Sequence, residues 1–128
     1  MPSTPLDAYQ SIEKATLNGR DLEASVLIKA AARLAAVKQD WGAANRDESL
    51  DEALRFNQQL WTLFQAELAS KENPNSDEVK RNLLALSAFV DKRTYDIMSF
   101  PEPGKLDILI DINTNIAGGL KGESLPAP

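Results

Sequence analysis

The sequence predicts an all-α protein, a compact bundle of four to five helices in a single domain. Glycines and prolines punctuate the 128 residues into segments of helical length. Within them apolar residues recur at spacings of three and four. No two segments offer a convincing strand pair. A chain of this length buries roughly two-thirds of the surface its unfolded form exposes, enough for a core without staples.

The first segment, Leu6 to Leu17, is closed by Gly19 and carries Tyr9, Ile12 and Thr16 on one side. It is expected to be a shorter helix, packed late or loosely. From Arg20 to Trp41 a stripe of Val26, Leu27, Ala30, Leu34, Val37 and Trp41 describes an amphipathic helix, with Lys29 and Arg33 on another face. Its alanines (Ala24, Ala30, Ala31, Ala32, Ala35, Ala36) favour helix and allow a neighbouring helix to approach closely.

In the third segment Ser49-Leu50-Asp51-Glu52 has the S-x-x-E form of a capping box, so the helix is expected to begin near Ser49 or at Asp47. Its stripe reads Leu50, Leu54, Asn57, Leu60, Trp61, Phe64 and Leu68, with Phe56 and Leu63 widening the arc. Asn57 is the polar exception, expected to be a buried or half-buried amide bonded to neighbouring backbone, since an unsatisfied one costs ~1–3 kcal/mol. The break from Lys71 to Ser76 follows.

Ser76 is positioned to cap the fourth segment, with Asp77 and Glu78 complementing the positive end of the helix dipole. Val79, Leu83, Leu86, Val90 and Ile97 form its main stripe, and Leu84, Ala88 and Tyr95 line an adjacent one. Beyond Val90 the surface turns ionic, with Asp91, Lys92, Arg93 and Asp96. In the fifth segment Leu106, Ile108, Ile110 and Ile112 alternate as in a strand, whereas Leu106, Leu109, Asn113, Ile116 and Leu120 are helically spaced. A lone strand has no partner for its ladder groups, so helix is favoured, ending at Gly118-Gly119. Residues 1–120 are then one helical domain, and 121–128 a flexible tail that is short, polar and proline-containing.

Composition excludes much chemistry. Without cysteine or histidine the chain lacks a thiolate nucleophile, a zinc–sulfur site and the usual general base. Asp107 and Asp111, four apart, are too few oxygen ligands for a metal site. No enzyme, metal or cofactor is expected. Fourteen basic against 19 acidic residues give −5, which opposes direct nucleic-acid binding, and Lys29, Arg33 and Lys38 form the only modest basic cluster. No apolar run approaches a membrane span, and Met1-Pro2-Ser3-Thr4-Pro5 lacks the cationic and apolar regions of a secretory signal. A cytoplasmic protein is expected.

What remains is an excess of large apolar side chains: Phe56, Trp61 and Leu63 in the third segment, Ile108 and Ile112 in the fifth. A small bundle can bury all of them; otherwise they line a groove or a subunit interface. Trp61, on the main stripe, is assigned to the core. Phe56, Leu63, Ile108 and Ile112 are the candidate protein-binding residues, with Phe56 and Leu63 as the exposed anchors.

The segments together resemble the FlaF family of flagellar biosynthesis regulators. The resemblance runs from AYQ (Ala8 to Gln10) through LEA and the alanine-rich second segment to LDEALRFNQQLWTLF (Leu50 to Phe64). It continues in LLALSAFVDKRT (Leu83 to Thr94), LIDIN and IAGGL (Leu109 to Leu120). It implies an all-helical cytoplasmic protein that supports flagellin production, with flagellin as an export client and the translational regulator FlbT as a partner. Recurrent family positions are matched by Tyr9, Asn57, Leu60, Trp61, Phe89, Thr94, Ile112 and Asn113, as core or contact residues. It implies no catalytic residue. Two readings remain: a flagellin-binding export chaperone, or an adaptor that binds FlbT and controls flagellin translation without chaperoning.

Overall fold

The computed structural model describes residues 20–120. Four α-helices follow one another: α1 (Arg20–Gln39), α2 (Arg46–Ala69), α3 (Asp77–Ser99) and α4 (Leu106–Leu120), the last preceded by a 3-10 turn over Pro103–Lys105. There is no strand among the described residues, and the ambiguous fifth segment is helix. The expected helix over Leu6 to Leu17 and the tail at 121–128 lie outside the described residues.

α1, α2 and α4 enclose the core. α4 lies most extensively along α1, α2 packs on α1, and buried side chains of α2, Trp61 and Asn57, reach Asn113 of α4. Ala24, Ala30 and Ala31 of α1 are buried, as is Ala117 of α4, so small side chains line the closest helix approach. Leu27, Leu34, Leu54, Trp61, Leu106 and Leu109 fill the space around them. Lys38, in the last turn of α1, pairs with Asp107 in the first turn of α4, fixing the two as antiparallel neighbours. Trp41, expected on the α1 stripe, falls in the turn beyond the helix, half-buried beneath the Arg46 guanidinium 4.5 Å from its ring.

α2 begins earlier than the capping motif suggests. The Ser49 backbone N–H donates to the Asn45 carbonyl at 3.0 Å, so Ser49 already lies inside the helix and the capping box does not form. Asn45 occupies the N-cap position without a side-chain cap. Ser76 behaves as expected, its hydroxyl accepting from the Val79 N–H at 3.2 Å.

α3 is the peripheral helix. It packs along α2 and touches α4 only sparsely. Two of its four fully covered side chains are polar: Ser87 accepts from the Gln65 amide of α2, and Thr94 donates to the Val90 carbonyl at 2.7 Å. Val79, assigned to the main stripe, is exposed because it stands in the first turn of α3, where the bundle ends and no helix covers it. At the other end Lys105 reaches Asp96 at 3.2 Å and donates to the Phe100 carbonyl at 2.8 Å, fastening the turn between α3 and α4. Gly118 and Gly119 lie within the last helical turn of α4, which continues to Leu120, the final described residue.

Candidate protein-binding surfaces

The expected anchors divide between two helices. Phe56 is not the open anchor the sequence suggests. It is half-buried against the core, with the Arg33 guanidinium of α1 4.2 Å from its ring centre and the Lys29 ammonium at 5.9 Å. Those cations stack on the ring because α1 and α2 run antiparallel and bring the flank of one against the flank of the other. Leu63, two turns further along the same side of α2, is 65% exposed. Trp61 is 1% exposed and belongs to the core.

Ile108 and Ile112 are half-buried against the core on α4. Lys38 of α1 meets Asp107, and at about 100° per residue Ile108 and Ile112 lie about 100° and about 140° round α4 from that edge. Phe56, by contrast, faces α1 itself. Lys38 pairs with Asp107, while Lys29 and Arg33 lie over the Phe56 ring and remain exposed.

Sequence reasoning missed a groove at the end of the bundle where α1 and α3 begin and α2 and α4 end. Its volume is about 750 Å³, within the usual range for ligand clefts. Trp61, Phe64, Leu68, Leu83, Ile116 and Leu120 supply apolar lining, and Glu23, Glu67, Glu72, Asn73 and Asn75 also line it. The Trp61 and Phe64 rings meet edge to face at 5.6 Å, which stiffens one wall. The loop after α2 also lines it: Ser70 ends α2 in an extended conformation, and Asn73 accepts from the Asn75 N–H at 3.0 Å across Pro74. The stripes of three helices were visible in the sequence; that their ends meet around one cleft was not.

A second exposed apolar concentration lies on and just after α3. Of the large apolar side chains exposed among the described residues, Val79, Leu84, Phe89, Tyr95, Met98 and Phe100 come from this stretch. The adjacent stripe of Leu84, Ala88 and Tyr95 carried the signal, because a helix with two apolar stripes packed on one neighbour leaves one uncovered.

No group of three acidic side chains that could hold a metal ion stands together among the described residues. No helix among them is long and apolar enough to cross a membrane. The family model described as "Flagellar protein FlaF" matches residues 5–120. Among curated proteins and among solved structures, none matches the chain.

Proposed function

We propose, from the premise that this chain belongs to the FlaF family of flagellar proteins, that it is a cytoplasmic, non-enzymatic factor that binds flagellin before export and supports its synthesis and secretion. The observation that carries this is the groove, an open cleft lined by apolar side chains together with polar groups. Such clefts accept the apolar face of an amphipathic helix through anchors three and four residues apart. Shielding that face would keep an export client from aggregating. No membrane insertion, cofactor or direct nucleic-acid contact enters this reading.

The second reading is an adaptor that binds FlbT and controls translation of flagellin mRNA without chaperoning flagellin. Leu63, exposed and outside the groove, favours a second protein contact. Pulldown of the purified full chain with flagellin alone, then with FlbT alone, separates the two. Capture of flagellin without FlbT, abolished by Leu120→Glu in the groove wall, supports the chaperone. Capture of FlbT alone, with flagellin left in the supernatant, replaces it with the adaptor.

A further inference from the structure

α3 presents a continuous outer face that no described element covers. Arg81, Leu84, Ala88, Lys92 and Tyr95 are all exposed, and their spacings of three, four, four and three place them within one sector of the helix. Leu84 is 37% and Tyr95 61% exposed, while the opposite side of α3, through Val90 and Ile97, packs inward. Beside the exposed apolar residues the charge is basic, with Asp77 the acid of the same sector at its N-terminal end. Neither Arg81 nor Lys92 meets a carboxylate among the described residues; of the acids around them, Asp91 accepts from Gln65 at 3.2 Å, Asp96 pairs with Arg93 and Lys105, and Glu78 stands exposed in the first turn. Asp77, in the first turn, faces the positive end of the helix dipole. A chain with a net charge of −5 thus sets two uncommitted cations beside an exposed apolar stripe.

We propose that this face of α3 docks an acidic amphipathic helix of a partner protein, its apolar stripe seated on Leu84, Ala88 and Tyr95 and its carboxylates meeting Arg81 and Lys92. Ala88, small and between the two larger side chains, lets the partner backbone approach, and Tyr95 supplies a broad aromatic contact with a polar end. A second copy docking the same face parallel and in register would set Arg81 against Arg81 and Lys92 against Lys92, which disfavours that pairing. The site lies apart from the groove, so one molecule can hold both partners at once, and it stands whether or not flagellin occupies the groove.

The test uses the full chain and three synthetic peptides of equal length: a leucine stripe flanked by glutamates, the same stripe flanked by lysines, and a scrambled acidic control. Fluorescence anisotropy should show the glutamate peptide binding about tenfold more tightly than either other peptide at low salt, the advantage shrinking at high salt as rim charges are screened. Tyr95→Ala should weaken it about tenfold. The double reversal Arg81→Glu with Lys92→Glu should invert the preference toward the lysine peptide, while Lys29→Glu with Arg33→Glu on α1 should leave the preference intact. These positions on α3 are exposed, so melting temperatures should hold, confirmed by circular dichroism. Equal binding of the ordered and scrambled acidic peptides, no saturable binding, or a preference unmoved by the α3 reversal would each overturn the proposal.

Discussion

The Trp61 indole N–H on α2 donates to the Asn113 side-chain carbonyl on α4 at 2.9 Å, with both residues buried. Because an indole only donates, this bond fixes the orientation of the Asn113 amide. Its Nδ2 then donates to the Asn57 side-chain oxygen at 2.6 Å. The Asn57 amide nitrogen is left without a partner among the described residues. A polar chain therefore runs through the core between α2 and α4 and sets their register, since sliding either helix by a turn would separate buried donors from acceptors.

Removing the middle of that chain should cost more than removing its end. Asn113→Ala orphans the Trp61 N–H and the Asn57 carbonyl together, at ~1–3 kcal/mol each. Asn57→Ala orphans one donor of Asn113 but deletes a donor already unpaired. Urea unfolding should rank Asn113→Ala as the more destabilising by ~1–2 kcal/mol. The reverse order would show that the chain does not operate as the geometry indicates.

Leu63 and Phe56 should separate binding from stability. Leu63→Ala is expected to leave unfolding free energy within ~0.5 kcal/mol, as for an exposed position. Phe56→Ala removes half-buried packing and the ring beneath Arg33 and Lys29, and is expected to cost ~1–3 kcal/mol. Thermal melts read beside flagellin pulldown check both: Leu63→Ala, outside the groove, should leave flagellin capture intact, and loss of capture at unchanged melting temperature would move the client interface to this side of α2.

Two serines test where the helices begin. Ser76→Ala should lose ~1 kcal/mol with the cap of α3. Ser49→Ala, inside α2, should change stability by less than ~0.5 kcal/mol, since alanine is the better helix former and no cap is lost. A comparable loss at both sites in chemical denaturation would mean that Ser49 caps α2 after all.

Direct RNA affinity should be absent. Lys29 and Arg33 are engaged by Phe56 and Lys38 by Asp107. Only this modest cluster faces a phosphate, on a chain whose net charge of −5 opposes the contact. Gel shifts of a flagellin leader transcript with the purified chain should show no salt-sensitive complex; a tight one formed without FlbT would overturn this expectation.

By itself the sequence determined the helices. Apolar spacings of three and four specify which side of each helix avoids water, and this holds whatever the neighbours are, so Leu34, Leu54, Trp61, Val90 and Leu109 were legible as core. Ser76 was legible too, because a cap acts within one turn. Tertiary structure decided what local patterns cannot contain. Ser49 has the form of a cap, but α2 extends past it to Arg46. Asn57 was readable as a buried amide, yet its partner is Asn113, 56 residues away, rather than nearby backbone. Phe56, expected as an open anchor, is half-buried with two cations of α1 over its ring, whereas Leu63 on the same side of α2 stayed exposed. The groove and the bare face of α3 arise from how far apart the helices stand and how many neighbours each has. Periodicity states that a face is apolar; only the packed helices decide whether anything covers it.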